Sequence, residues 1–426
     1  MSSSLIVCAL PTGMNLNDSL TRFHVISGNL RTNATELETQ IPVRDAGDFG
    51  NFFVYAASNT ISVNSTSITL RKSGADAAVQ VLYGSDETGI KEDTTNTETF
   101  AATDEVGYST ITPSEAGTNT ISLRIMAIQF DPATSGNTIS FANASVLSAA
   151  ISTDNATVYE PIGGDLNVST VPSEDKIKQR IRASFTASNL YTYAESNNST
   201  TTNTFKTRKN AADGNQSVAY TSGETGVKED TSNTDSISAG DDFNHVLETG
   251  ATTDAFTINV VSVRMLNTAG KFVLFAADTA DLAVAANSTI FAGLACELGQ
   301  ANATETNSQI YPRFTFTASE LVSYVNSNSG ASLVTNITLR DNGGDSSVTV
   351  QYIAGETGLK NDTTNTAEIT SGADEVDYEV TCLDLTGGVS VTWIGIIGGT
   401  AQPEPAPAAV VSSQRMKTRM MLGVGL

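Results

Sequence analysis

The sequence predicts an all-β protein made of three tandem β-sandwich units, jelly-roll-like in each unit, with an Ig-like topology as the second choice. Three observations predict it. The composition favours strands and turns over helices. One long segment recurs three times. The recurring segments alternate polar and apolar residues with a period of two.

The composition comes first. The chain has 426 residues, and roughly 150 residues per domain suggests about three units. It is rich in Thr, Ser, Asn, Gly and Val, the residues of strands and turns. The hydrophobic fraction of 39% can fill several small cores, and no apolar run approaches the ~20 residues of a spanning helix. Forty-six acidic against 23 basic residues give a net charge of −23. Such a chain repels nucleic acid, whose phosphates need clustered Lys and Arg. The acids read as a solvated surface rather than as Ca²⁺ ligands. Cys8, Cys296 and Cys382 fall at unrelated places in the repeats, which argues against a disulfide framework or a zinc site and for small buried residues. Leu5–Leu10 is too short and lacks the basic flank of an export signal, so it reads as a first strand.

The repeat is long and ungapped. It runs Tyr83–Thr97, Tyr220–Thr234 and Tyr352–Thr366, built on Gly-Glu-Thr-Gly or its variant and then x-Lys-x-Asp-Thr-x-Asn-Thr. The three tyrosines are spaced by 137 and 132 residues, too far apart for a solenoid or a propeller blade. Upstream come Arg71, Arg208 and Arg340, each followed at one offset by Asp76, Asp213 and Asp345. Farther upstream, Ala34–Ile41 matches Ala303–Ile310. Downstream, each copy has an acidic turn and an apolar closing strand. The units are therefore expected at 1–150, 151–270 and 271–400.

Within a unit, Ser67–Arg71 and Val79–Tyr83 alternate as half-buried strands, and Lys72–Asp76 between them is a tight turn. Asn336–Arg340, Asp341–Asp345 and Val348–Tyr352 repeat that hairpin. Gly89, Gly226 and Gly358 sit where a second connection needs backbone angles that other residues resist. Ser173–Arg182 has weak helical character, but the tandem context favours strand or loop. Each repeated Arg is expected to pair with its nearby Asp and cover a strand with its stem. Each repeated Tyr is expected at a sandwich edge with a wet hydroxyl.

The last 26 residues, 401–426, differ in character. Gln402–Ala409 is a Pro/Ala linker, stiff and extended. Beyond it Arg415, Lys417, Arg419, Met420, Met421 and Leu422 form a basic, apolar tail. It reads as a tether that docks on an acidic, partly apolar partner surface.

Catalytic patterns are missing. His24 and His245 occupy no repeated position and have no second ligand near in sequence. There is no nucleophile elbow and no phosphate loop. The acidic pairs Glu92-Asp93 and Glu229-Asp230 resemble an acid–base couple, but they recur beside turn glycines, which favours turn chemistry. No enzyme activity and no cofactor is expected. The single tryptophan, Trp393, lies in an apolar closing strand and reads as core.

The run Arg-x-x-Gly/Ala-x-Asp, then Gly/Asp-x-x-Gly-x-x-x-Asp-Thr-x-Asn-Thr, an acidic turn and a closing strand resembles β-sandwich modules in virion proteins of tailed bacteriophages. The likeness covers 66–130, 203–266 and 335–397. That family places a Gly-Asp pair before the late strand. Gly240-Asp241 keeps it, whereas Thr103-Asp104 and Ala373-Asp374 do not. The resemblance implies a non-enzymatic virion structural protein, a capsid decoration or head or tail fibre component, whose partners are other virion proteins. Such modules often form trimers, so three fused copies suggest either a pseudo-trimer closed within one chain or a homo-trimer. Copies differing at 45–51 and 195–203 would then present different faces. The competing class is a cell-surface adhesin or surface-layer protein that binds glycan or Ca²⁺.

Overall fold

Alternating Thr, Val, Ile and Ser leave the chain little choice but strands, and the computed structural model is almost wholly β. It describes residues 2–115, 118–145, 150–151, 156–165, 173–250 and 256–400. The first repeat supplies β1 (Ser4–Asn17), β2 (Thr21–His24), β3 (Gly47–Asn59), β4 (Thr66–Lys72), β5 (Ala75–Tyr83), β6 (Gly89–Phe100), β7 (Glu105–Ile111) and β8 (Thr120–Pro132). The second supplies β9 (Thr138–Ser145), β10 (Thr157–Glu160), β11 (Phe185–Asn197), β12 (Asn203–Lys209), β13 (Ala212–Tyr220), β14 (Gly226–Ile237), β15 (Asp242–Glu248) and β16 (Phe256–Asn267). The third supplies β17 (Lys271–Val284), β18 (Ser288–Ala292), β19 (Phe316–Asn328), β20 (Thr335–Asp341), β21 (Gly344–Tyr352), β22 (Gly358–Ile369), β23 (Val376–Cys382) and β24 (Val389–Thr400).

Each repeat forms two sheets whose eight main strands pair antiparallel. In the first, the inner sheet runs β1-β8-β3-β6 and the outer sheet β2-β7-β4-β5, and the other two repeats copy this order. Counting strands within a unit, that is 1-8-3-6 over 2-7-4-5, the jelly-roll order. The Ig-like alternative falls. The 4–5 hairpin turns through two residues with positive φ: Ser73 and Gly74, Asn210 and Ala211, Asn342 and Gly343. Two successive positive φ values match the right-handed twist of the flanking strands.

Three expectations need correction. The first boundary is not at 150, because Thr138–Ser145 pairs along β16 and so belongs to the second pair of sheets. Glu174–Ile177 is one turn of helix, not strand or loop; Ile177 buries and Glu174 turns towards Arg208. Residues 47–51 and 195–197 are not inserted loops but parts of β3 and β11.

The cores do not stop at the repeat boundaries. Leu5, Val7, Phe53 and Ile125, on the outer face of the first inner sheet, join the core of the third repeat. Phe141, Tyr191 and Val260 of the second join the core of the first. Val273, Val322 and Trp393 of the third join the core of the second. Corresponding positions thus pack on the preceding repeat each time, and the cycle closes. The three first strands meet at its centre. There Ile139 N donates to Ser4 Oγ at 2.8 Å and Val273 N to Ser140 Oγ at 3.0 Å. Leu5, Phe141 and Val273, with Ser27, Gly163 and Ala295, line a central cavity with about 30 Å³ of free space. That is room for about one water molecule and no larger guest.

Candidate functional site

The repeated arginines build three copies of one surface clamp. Arg71 Nε and Nη2 meet Glu36 at 2.6 and 2.9 Å, Nη1 meets Asp76, and the guanidinium lies over the Phe23 ring. Arg208 meets Glu174 at 2.9 Å through both nitrogens, meets Asp213, and lies over Tyr159. Arg340 meets Glu305 at 3.0 Å, meets Asp345, reaches Glu379 at 3.0 Å, and lies over Phe291. Each also donates to a carbonyl of the hairpin turn, that of Gly74, Ala211 or Gly343. These arginines are occupied by the protein's own acids. The Asp partner was legible in the sequence. The Glu partner was not, although Ala34-Thr35-Glu36 and Ala303-Thr304-Glu305 already stood out as a match.

The repeated tyrosines are not at a wet edge. Tyr83, Tyr220 and Tyr352 end the inward alternation of β5, β13 and β21 and are fully buried. Tyr83 Oη lies 2.8 Å from Val54 O and 2.9 Å from Gly89 O. Tyr220 and Tyr352 make the equivalent contacts to Thr192 O and Gly226 O, and to Ser323 O and Gly358 O. Each hydroxyl ties the inner sheet to the glycine turn. At those turns φ is +89°, +87° and +91°, and nothing stands where a side chain would go. Backbone conformation, not space, calls for glycine there.

The acidic pairs divide their work. Burial opposes charge on Asp93, Asp230 and Asp362, yet donors outweigh it and hold each carboxyl below its ordinary value. Asp93 accepts from Gln80 N at 2.9 Å and from Thr95 N and Asn96 N. The neighbouring Glu92 and Glu229 instead face other repeats. Arg44 of the first repeat pairs with Glu229 of the second, Arg182 of the second with Glu320 of the third at 3.0 Å, and Arg313 of the third with Glu92 of the first. The three arginines each lie three residues before the third strand of their unit. Arg264 pairs with Asp45 across the first seam as well.

Aromatic contacts fill the same seams. The Phe53 and Tyr311 rings lie 5.3 Å apart between first and third repeats. Trp393, expected as core, is buried and faces the second repeat: its indole N–H donates to Lys176 O at 3.0 Å, and Tyr324 stacks on it.

Other reactive groups stay apart. His24 and His245 are buried, and burial lowers their pKa to about 4 and about 3. Cys8, Cys296 and Cys382 are free and buried. Among the described residues, no three His, Cys, Asp or Glu side chains group as a metal centre, and no helix is long and apolar enough to cross a membrane. Arg415, Lys417, Arg419, Met420, Met421 and Leu422 lie outside the described residues. No protein-family model matches the chain, and no curated protein does either.

Proposed function

We propose that the chain is a non-enzymatic structural protein of a virion, a capsid decoration or a head or tail fibre component, with three jelly rolls joined as a pseudo-trimer in one polypeptide. The observation that carries this reading is the closed cycle of seams: each repeat lends one face of its inner sheet to the core of the one before. Fusing three copies makes their association intramolecular, at high effective concentration. The motif residues that invite a catalytic or ligand-binding reading are engaged by one another, as at Arg71, Glu36 and Asp76. Jelly rolls serve in viral capsid proteins, an analogy of fold that agrees with this reading.

The test uses phage capsids that lack this protein. Full-length chain and a chain ending at Gly399 are each co-sedimented with them. Binding by the full-length chain alone makes the tail the anchor. Binding by both places attachment in the β-units. Binding by neither removes the virion reading and brings the surface adhesin forward.

A further inference from the structure

The two ends of the molecule differ. Ser4 pairs with Phe130, Thr138 with Asn267, Lys271 with Gly399 and Phe316 with Thr400. The first strand's start, both connections between repeats and the exit of the chain at Thr400 therefore share one end, the base. The loops after β19, β21 and β23 lie at the other end, the apex.

At the apex of the third repeat Cys382, Thr335 and Tyr352 stand side by side in adjacent strands. Just beyond them Leu383, Leu333 and Ile353 emerge, 42%, 44% and 59% exposed, with Leu385 at 70%. Leu383 N donates to Val334 O at 3.1 Å, Asp384 binds Leu333 N and Asn328 binds Ile353 O, so backbone contacts bring these aliphatic side chains together at one end of the unit as a patch. The strand registers place Asn64 and Thr201 at the position of Leu333, Gly84 and Thr221 at that of Ile353, and Pro113 and Gly250 at that of Leu383. At these positions only the third repeat carries aliphatic side chains, although the first repeat exposes Val63, Leu82 and Ile111 at the same end.

Its loops are held in place. Asp384 Oδ2 accepts from Ala331 N and Ser332 N at 2.8 Å and from Leu333 N at 3.1 Å. Asp384 Oδ1 accepts from Thr386 N and Oγ1 at 2.9 Å and from Gly387 N at 3.1 Å. Asn328 binds Ile353 O and Glu356 O. A surface ordered in advance loses little entropy when it is covered.

We propose that this patch receives the C-terminal segment of a second copy of the chain, so that copies join head to tail. This deepens the fibre reading and rests on it for its biological role. Met416, Met420, Met421, Leu422, Val424 and Leu426 supply the apolar side chains, and methionine adapts well to such a surface. Charge agrees: of the chain's −23, residues 401–426 contribute +2, leaving −25 on residues 1–400. The segment follows Thr400, which lies at the base. The patch is at the apex. A donor at one end and an acceptor at the other make a heterologous contact that propagates instead of closing. The four exposed side chains include no aromatic ring on which a sugar could stack.

Sedimentation velocity of the purified protein tests this over a range of concentrations. The full-length chain associates as concentration rises, and a chain ending at Thr400 stays monomeric. Leu385→Asp, at a side chain that faces solvent, weakens association about tenfold or more, while Trp393 emission shows the fold unchanged. A labelled peptide of residues 412–426 binds the chain ending at Thr400 and loses that binding with Leu385→Asp. A full-length chain that stays monomeric at every concentration overturns the proposal, as does association indifferent to Leu385→Asp. Peptide binding to the shortened chain but not to a full-length chain that stays monomeric also overturns it, since the segment would then occupy its own apex. No capsid enters this experiment, so the virion reading can fail while head-to-tail association stands.

Discussion

Arg182 pairs with Glu320, whereas its counterparts Arg44 and Arg313 pair with Glu229 and Glu92. The third repeat carries Asn361 where the others carry that glutamate, and it carries Glu320 where they carry Asn51 and Asn189. Asn51, Asn189 and Glu320 all sit at a strand irregularity with φ of 52°, 56° and 57°. Asparagine tolerates that conformation better than glutamate does. The seam keeps its charge pair by moving the acid to the neighbouring strand.

Glu320→Asn should therefore weaken the second seam by about 1 kcal/mol, the scale of a partly exposed ion pair. Adding Asn361→Glu should restore most of that loss, because the acid returns to the position used in the other two seams. Denaturant midpoints of the single and double variants check this. A double variant less stable than the single one sinks the equivalence.

Tyr352→Phe removes the hydroxyl that bridges Ser323 O and Gly358 O at 3.0 Å. Buried carbonyls then lose a donor, at a cost of about 1–2 kcal/mol. Amide exchange in the Gly355–Gly358 turn should accelerate, with little change in the matching turns of the other repeats. Uniform acceleration in all three would mean that the hydroxyl does not act locally.

Asp377 carries the clearest pH dependence. It lies opposite Arg340 in the register where Asn244 faces Arg208 and Gly107 faces Arg71. It is fully buried, and burial first, then Glu305, pushes its pKa up to about 9. The folded state therefore holds a proton that the unfolded state releases near pH 4, so this group lowers stability as pH rises from about 4 to about 9. Asp377→Asn abolishes that slope. The variant should match the wild type near pH 4 and exceed it by up to about 4 kcal/mol at pH 7. Thermal unfolding at both pH values checks it, and equal stabilities at pH 7 refute it.

Trp393 reports on the second seam from within. It is 1% exposed, against Tyr324 and Phe275 and bonded to Lys176 O. Its emission should be blue-shifted and poorly quenched by iodide in the whole chain. In residues 271–400 alone it should shift to the red and become quenchable, since the second repeat is missing. Unchanged emission would place the indole in the core of its own unit.

Much of the fold was legible in the residues. Period-two alternation and the hairpin turns at Lys72–Asp76 and Asp341–Asp345 depend on nearest neighbours, and local pattern reports those faithfully. The Arg–Asp half of each clamp was visible for the same reason, five residues apart across a tight turn. The Glu36 half was not, because 35 residues of chain separate it from Arg71 and only the folded sheet brings them together. The second-repeat boundary was misplaced because a first strand such as Thr138–Ser145 looks the same whether it closes one sandwich or opens the next. Its partner, β16, lies more than a hundred residues away.

By itself the sequence determined the all-β class, the threefold repeat, the turns and the acidic surface, since each is written in composition or in short-range order. Only the tertiary structure decided which face of each inner sheet meets which neighbour. An outward Phe53, Tyr191 or Val322 alternates in its strand just as a core residue does. Whether such a residue faces its own core or another repeat's depends on how whole sheets pack, a long-range balance of buried area and charge that no local pattern encodes.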